Sequence, residues 1–454
     1  MKKIALEAKA GTTIFASTGM LGKGHPDRMS TLLYYNAAKG SKVCLLNPDY
    51  YFNIATYALR FDDKYIYTFC YHEEQSWTTY NQDLSGTTYR QEDYVFDDEV
   101  YFRICLKRVD GCAFTDDEAE HVNEIVSFYS SVERVYREKF YFIKEAQKTA
   151  QTIQDKRTPE SLVFGVVTDT HVAVNGTWED TAHNMKAVHE KAGFDAIVHL
   201  GDLTDGMVPA SVTKRYVETV ISDLNDNRVP LFVVLGNHDS NYFYNNPEPL
   251  TSDEQIHTYL RRSDSAVERE PENDYYYVDF QPVSLRCLFL SSFDYREKVR
   301  YGYSNEELNW VRETLISAPE GYSFIVFSHA PPLPLLDYSW TDAIRNGEQL
   351  LSILEKYGIR DGKKVLAFIH GHTHADYVYN ERAFPIVSIG CAKCEQFTDN
   401  KPDGSVTWER KLYTVTQELW DTLIITPSAS KIDFVRFGAG EDRTVLLGRK
   451  EGER

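Results

Sequence analysis

Leu162-Val-Phe-Gly-Val-Val167, running into Thr168-Asp169-Thr-His171, is the stretch on which the reading of this chain turns. A run this apolar suits a strand covered on both faces, because a strand with one wet face would alternate polar and apolar residues. The abrupt change to Asp-Thr-His then places an oxygen donor and a nitrogen donor two residues apart at the strand's carboxyl end. The pattern returns four times. Ala196-Ile-Val-His-Leu200 runs into Gly201-Asp202-Leu-Thr-Asp205, and Leu231-Phe-Val-Val-Leu235 into Gly236-Asn237-His238-Asp239. Ser323-Phe-Ile-Val-Phe327 ends in Ser328-His329, and Val365-Leu-Ala-Phe-Ile369 is followed by Gly371-His-Thr-His374. Between the strands, Ala210 to Asn225 and Asn305 to Ile316 carry helical periodicity, which predicts an α/β layered fold.

Ligands of open α/β sheets bind beyond the carboxyl ends of the strands, so five polar clusters at five strand ends are expected to converge. Their Asp, Asn and His side chains suit divalent transition metals. Without cysteine among them, a structural zinc site or an iron–sulfur cluster is disfavoured.

In these residues the chain resembles the calcineurin-like metallophosphoesterases, well represented in bacteria. Their ordered signature is Asp-x-His, Gly-Asp-x-x-Asp, Gly-Asn-His-Asp/Glu, a later His, and Gly-His-x-His. All five blocks stand here in order between Asp169 and His374. The resemblance implies a four-layer α/β (α+β) sandwich with mixed sheets. It also implies a dinuclear centre of two divalent, or mixed iron and divalent, ions, with Mn, Zn or Fe expected. It assigns Asp169, His171 and His374 to the first ion, Asp202 as the bridge, and Asn237, His329 and His372 to the second. His238 is implied as the proton donor to the leaving group, with Asp239 orienting and charging its ring. Asp205 is read as a support behind a ligand or a shaper of its turn. The implied reaction is hydrolysis of phosphate mono- or diesters by in-line attack of a metal-bridging hydroxide.

Gly201, Gly236 and Gly371 are expected where a Cβ would collide with the metal centre. His199 and His370 adjoin the motifs inside strand pieces and are read as buried, hydrogen-bonded rings. Cys391-Ala-Lys-Cys394 has redox-like spacing, yet it follows strand-like Ile386 to Ile389 and not a βα unit, so buried thiols are expected there. Substrate choice is assigned to three long loops, Asn241 to Glu272, Asp294 to Asn305 and Pro331 to Arg345. These carry Tyr242, Phe243, Tyr244, Tyr338 and Trp340 as stacking candidates; Arg261, Arg262, Arg300 and Arg345 are candidates for a second phosphate contact. The Pro-rich run after His329 is read as a rigid rim loop.

The other regions have different textures. Residues 1–115 read as short β-prone pieces, among them Ser30 to Tyr35, Lys64 to Phe69 and Val100 to Leu106, which predicts a small β-sandwich. This module resembles, through Ser17-Thr-Gly19, Asp27 to Thr31 and Tyr101 to Lys107, β-sandwiches that precede hydrolase domains in gut-bacterial and phage proteins. That resemblance implies carbohydrate binding, for which its Tyr residues and Trp77 would serve, although aromatics of a small sandwich mostly fill its core. Near-helical spacing of Ile125, Phe128, Val132, Val135, Phe140 and Ile143 predicts one long linking helix over 116–158. Residues 159–440 hold the phosphoesterase domain, with strands expected at Leu412 to Thr416, Asp421 to Ile425 and Lys431 to Phe437. Residues 441–454 are read as a tail, and the charged stretch from Gly438 to Arg454 is expected to fray at its end.

Composition limits the partners. Of 454 residues, 49 are Lys or Arg and 68 Asp or Glu, a formal net charge of −19 that repels phosphate backbones and disfavours a general nucleic-acid binder or nuclease. No apolar run reaches a membrane span, so the expected partner is a small phosphate ester held by cations that reverse the local potential. A glycan- or surface-binding protein using the domain as a scaffold is the competing reading. Seven scattered cysteines do not form a secreted disulfide framework. Lys2-Lys3 precede no apolar stretch, so a cytoplasmic location is the default expectation, and a secreted one only if a signal was removed.

Overall fold

The strand Leu162–Val167 lies inside a six-stranded sheet, parallel to Ala196–His199 and antiparallel to Leu419–Thr426. The computed structural model describes residues 1–447 except 16–20, 34, 60–77, 81–88, 98–99, 132–137, 173–176, 207–209, 244–245, 247, 261–266, 269–272, 337–342, 396–401 and 403. The strand order is Leu231–Val233, Ala196–His199, Leu162–Val167, Leu419–Thr426, Lys431–Gly438 and Arg443–Leu446. A second sheet runs Val267–Glu268, Tyr276–Phe280, Leu285–Phe289, Ser323–Ser328, Lys364–His370, Ile386–Ser388, Tyr377–Tyr379. Tyr276–Phe280 and Leu285–Phe289 form a hairpin in antiparallel register.

Period-2 alternation shows how the layers stack. Ile325 and Phe327 enter the core shared with Phe164 and Val166 of the first sheet. Phe324 and Val326, on the other face, pack with Val311 and Leu315 of helix Asn305–Ser317 and with Leu350 and Leu354 of helix Gly347–Gly358. The other face of the first sheet is covered by helices Phe140–Lys156, Trp178–Ala192 and Ala210–Asn225, which bury Phe142, Met185 and Val217. Helix, sheet, sheet, helix is the predicted four-layer sandwich. Fully buried Ile, Phe or Leu side chains each contribute about 1.5–3 kcal/mol, which is why these strands read as unbroken apolar runs.

The chain forms two compact units, divided between residues 137 and 138. In the first, antiparallel sheets pack through one core. Lys2–Ile4, Val126–Ser130, Lys42–Leu45 and Tyr94–Val95 make one sheet; Val100–Arg108 and Tyr50–Leu59 anchor the other. Phe102 and Phe128, one from each sheet, meet at 4.8 Å between ring centroids. Phe52, Phe96, Phe102 and Phe128 are all buried, so these rings serve the core of the sandwich. The Ser30 to Tyr35 piece is split into Met29–Thr31 and Tyr35–Ala37, while Lys64 to Phe69, Cys70, Trp77 and Ser17 to Gly19 lie outside the described residues.

Two expectations fail. The linking helix over 116–158 is absent: two short helices, Asp116–Glu120 and Val122–Ile125, give way to the strand Val126–Ser130. That strand pairs with both Lys42–Leu45 and Lys2–Ile4, and a backbone ladder on two sides outweighs near-helical spacing. Val132 and Val135 lie outside the described residues. Helix Phe140–Lys156 belongs to the second unit, where Phe142 packs near Phe437. Leu412 to Thr416 is no strand but a turn followed by the 3-10 helix Val415–Gln417, because Arg410 donates to the Thr416 and Gln417 carbonyls and closes the loop. Within the expected tail, Arg443–Leu446 pairs with Lys431–Gly438, and residues 448–454 lie outside the described residues.

That last strand brings Arg443 to a buried ion network. Arg436 and Arg443 face Asp376 and Asp421 at 2.8–3.3 Å, with Asp376, Asp421 and Arg436 buried and Arg443 partly buried. Ser405 and Thr407 donate to the remaining Asp376 oxygen at 2.5 and 2.6 Å. Two positive and two negative charges satisfy each other, so the network ties the C-terminal strands to the segment just after His374.

Among the described residues, no helix is long and apolar enough to cross a membrane.

Candidate metal centre

Each donor cluster sits on a short loop leaving a strand, and the loops are stitched together by backbone hydrogen bonds. Asp169 N–H donates to the Gly201 carbonyl and His171 N–H to that of Asp202, both at 3.0 Å; Gly371 N–H donates to His329 at 3.0 Å. Thr170 Oγ1 donates to the Leu203 carbonyl and meets His199 Nε2, each at 3.0 Å. His199 is thus a hydrogen-bonded core ring, as expected, and burial pulls its pKa down to about 3. His370 likewise uses its ring on the Gly371 carbonyl and the Tyr377 hydroxyl.

The donors converge. Asp169, His171, Asp202 and His374 offer atoms that all lie within 4.8 Å of one another, and so do Asp202, His329 and His372. Asp202 belongs to both groups. Its Oδ2 is 3.3 Å from His329 Nε2 and 3.7 Å from His171 Nε2, while Oδ1 accepts the His238 N–H at 2.8 Å. Asn237 Oδ1 lies 2.9 Å from His329 Nε2. His171 Nε2 and His374 Nε2 face each other at 3.1 Å, an arrangement that a shared cation explains.

Three of the imidazoles are held from behind, which aims their inner nitrogens. His329 Nδ1 donates to the Leu200 carbonyl and His238 Nδ1 to that of Asp205, at 2.8 and 2.6 Å. His171 Nδ1 stands 3.3 Å from Asp205 Oδ1 without a hydrogen bond, so Asp205 lies beside the ring but does not hold it. His374 Nδ1 meets Glu395 Oε2 at 2.9 Å, a partner that no motif announced.

The electrostatics call for a cation. Asp169 and Asp202 are fully buried, and Asp169 Oδ1 has no hydrogen-bond partner. Burial opposes their charge, but His374 beside Asp169 and His329 beside Asp202 hold both below the usual carboxylate range. Burial also opposes charge on His329, and the Asp202 carboxylate outweighs it, raising the ring to about 9. Buried carboxylates with an orphaned oxygen and converging imidazoles fit divalent ions well.

The backbone is strained here. Asp169, His171, Asp202, His372 and His374 all adopt positive φ, between 43° and 66°. Five of the twelve such non-glycine residues among those described are expected ligands, so the strain gathers at the site. Glycines fill the tight approaches as predicted. A Cβ on Gly201 would stand 2.7 Å from His329 Nδ1, and one on Gly236 would strike Asp202. On Gly371 it would strike Thr168 Oγ1 and reach 2.6 Å from Asp169 Oδ2. Gly371→Ala is therefore expected to displace Asp169 and weaken uptake of one ion at least tenfold, read by Mn²⁺ titration against a chelator.

One expectation is corrected. Asp239 does not touch the His238 ring: its oxygens accept the N–H groups of Asp202, Leu203 and Gly236 at 2.8–2.9 Å. The two residues start the 3-10 turn His238–Ser240, in which successive side chains point about 120° apart. Asp239 therefore fixes the bridging loop, and the His238 ring is set by the Asp205 carbonyl and by Phe243, stacked at 3.7 Å.

Of the rim candidates, Tyr242 stacks on Tyr295, and Tyr301, which was not singled out in the sequence, packs 4.9 Å from His372. Arg300 lies over Tyr242, and Arg345 is paired with Glu297 at 2.7 Å. Tyr244, Tyr338, Trp340, Arg261 and Arg262 lie outside the described residues. The Pro-rich run packs as a loop, with Ala330, Leu333 and Leu336 buried.

Residues 162–376 match the calcineurin-like phosphoesterase family. Among solved structures, a dimetal phosphatase from Danio rerio aligns at 16% identity and TM-score 0.46, covering 63% of this chain and 99% of that one. GAP50, the anchor in the inner membrane complex of Plasmodium, aligns at 16% and 0.41 over 64% and 90%. A putative 5′-nucleotidase from Staphylococcus aureus aligns at 13% and 0.35 over 65% and 56%. No curated protein matches the chain. With its four layers and its loops of Asp, Asn and His in register with that family, the chain carries a calcineurin-like phosphoesterase domain at residues 162–376.

Proposed function

We propose that this protein is a dimetal hydrolase of phosphate mono- or diesters. The observation that carries the reading is the pair of donor groups sharing Asp202. Asp169, His171, Asp202 and His374 would hold one ion, and Asp202, Asn237, His329 and His372 the other; Mn, Zn and Fe suit these donors. When bound, such ions supply the Lewis acidity that draws charge from phosphoryl oxygens and acidifies water toward neutrality.

The chain's own residues do the rest. Asp239 and Gly236 hold the Asp202 loop against the Asn237 loop, so the carboxylate cannot swing away. His238 gives its Nδ1 proton to a carbonyl, which leaves Nε2 directed at the centre, 3.9 Å from Asp202 Oδ2. Burial pulls that ring down to about 4, and an anionic ester entering beside Nε2 opposes the pull. Once protonated there, His238 can deliver a proton to the departing oxygen.

His238→Ala is expected to leave Mn²⁺ binding unchanged and to slow alkyl esters far more than p-nitrophenyl esters, by roughly 10²–10⁴-fold. Equal slowing of good and poor leaving groups would contradict the proton-donor role. The overall test is hydrolysis of p-nitrophenyl phosphate, its bis ester and nucleotides with added Mn²⁺, Zn²⁺ or Fe²⁺. Inactivity toward all of them, with no metal by elemental analysis, would sink the proposal. Among the described residues of the first unit nothing favours glycan binding over a packing role for its aromatic rings.

A further inference from the structure

A turn beyond residues 162–376 backs the ligands assigned to the first ion. Ala392 N–H donates to the Thr168 carbonyl at 2.9 Å, and Lys393 N–H to that of Asp169 at 3.1 Å. Cys391 Sγ donates to the Asp169 carbonyl at 3.2 Å, and Cys391 N–H to that of His374 at 3.5 Å. One turn therefore straps two ligand-bearing loops that are far apart in sequence. Arg410 holds it in place by donating to the Cys391 and Ala392 carbonyls at 2.9 and 3.2 Å. Cys391 and Cys394 are free, buried thiols, so the redox-like spacing marks a packed support.

At the end of this turn Glu395 reaches the metal side of the fold. Its Oε2 accepts the Nδ1–H of His374 at 2.9 Å. The opposite nitrogen, Nε2, stands 3.4 Å from Asp169 Oδ1 and 3.1 Å from His171 Nε2. An imidazole whose Nδ1 carries the proton must offer its lone pair from Nε2, so the carboxylate decides both the tautomer and the ring's rotation. Its charge also makes Nε2 a stronger donor. Asp205 Oδ1 lies 3.3 Å from His171 Nδ1 without a hydrogen bond, so it does not hold that ring as Glu395 holds His374.

On the dimetal reading proposed above, we infer that Glu395 is a positioning residue of the first ion's site: it orients His374 and strengthens its hold on the ion. It touches neither substrate nor reacting atoms. The neutral amide of Gln can still accept the Nδ1–H, whereas Ala leaves the ring free to rotate or to change tautomer.

The test is titration of the full chain with Mn²⁺ against a competing chelator, on the wild type, Glu395→Ala and Glu395→Gln. In Glu395→Ala one of the two ions should bind about 10–100-fold more weakly while the other keeps its affinity, with Glu395→Gln in between. A purely structural residue would weaken both ions alike or neither, and either outcome overturns the inference. Should Glu395→Ala not fold, Glu395→Gln must itself show selective loss at one ion, and unchanged affinity there overturns the inference. A wild-type chain that takes up no Mn²⁺ overturns the dimetal reading, and this inference with it.

Discussion

Asp202→Asn should lower kcat/KM by at least about 100-fold, equivalent to about 3 kcal/mol of transition-state stabilisation. Asp202 is the one side chain in both donor groups, and its Oδ2 stands within 3.9 Å of His171, His238 and His329 Nε2. The amide is nearly isosteric and can still accept the His238 N–H, so the loop need not move. What disappears is one negative charge at the centre of a buried site, where the effective dielectric is low and charge acts strongly. Steady-state rates with p-nitrophenyl phosphate, beside metal content by elemental analysis, separate lost ions from slowed chemistry. Near-wild-type turnover with both ions retained would remove Asp202 from the bridging role.

The second large effect concerns stability. Asp376→Ala is expected to cost about 3–5 kcal/mol in urea unfolding, because it leaves the buried Arg436 and the partly buried Arg443 to share Asp421. It also removes the carboxylate oxygen to which the Ser405 and Thr407 hydroxyls donate. Burial opposes the charge of Asp376, but the two guanidiniums outweigh it and hold its carboxyl below the usual range. A depressed carboxylate contributes stability that is complete above its unfolded value of about 3.9 and is lost as pH falls toward the folded one. The gap between wild type and Asp376→Asn should therefore stay constant from pH 8 to about pH 5 and close below pH 4. A gap that widens on acidification would contradict the sign. One under about 1 kcal/mol would make the network energetically idle.

The strands and the donor set are legible in the sequence because each depends on a local pattern. Leu162–Val167 and Lys364–His370 declare themselves as runs too apolar for a half-exposed strand, and helix Ala210–Asn225 by its period. The segment 116–156 misleads for the opposite reason. Val126–Ser130 becomes a strand only because Lys42–Leu45 and Lys2–Ile4 arrive on either side of it, and nothing within the segment encodes their arrival. Asp239 misleads through adjacency: a neighbour in sequence is not a neighbour in a tight turn.

By itself the sequence determined the chemistry on offer: which side chains stand at which strand ends, and hence a His and Asp donor set that could hold metal ions in a calcineurin-like phosphoesterase domain. The tertiary structure decided how those side chains are held. Glu395 behind His374, Asp239 under the bridging loop, the left-handed backbone of five expected ligands and the Asp376 network all join residues distant in the chain. Donor identity is covalent and local, and so can be read along a line. Orientation depends on which hydrogen bonds and ion pairs form once water is excluded, and that is settled only by the packing of the whole domain.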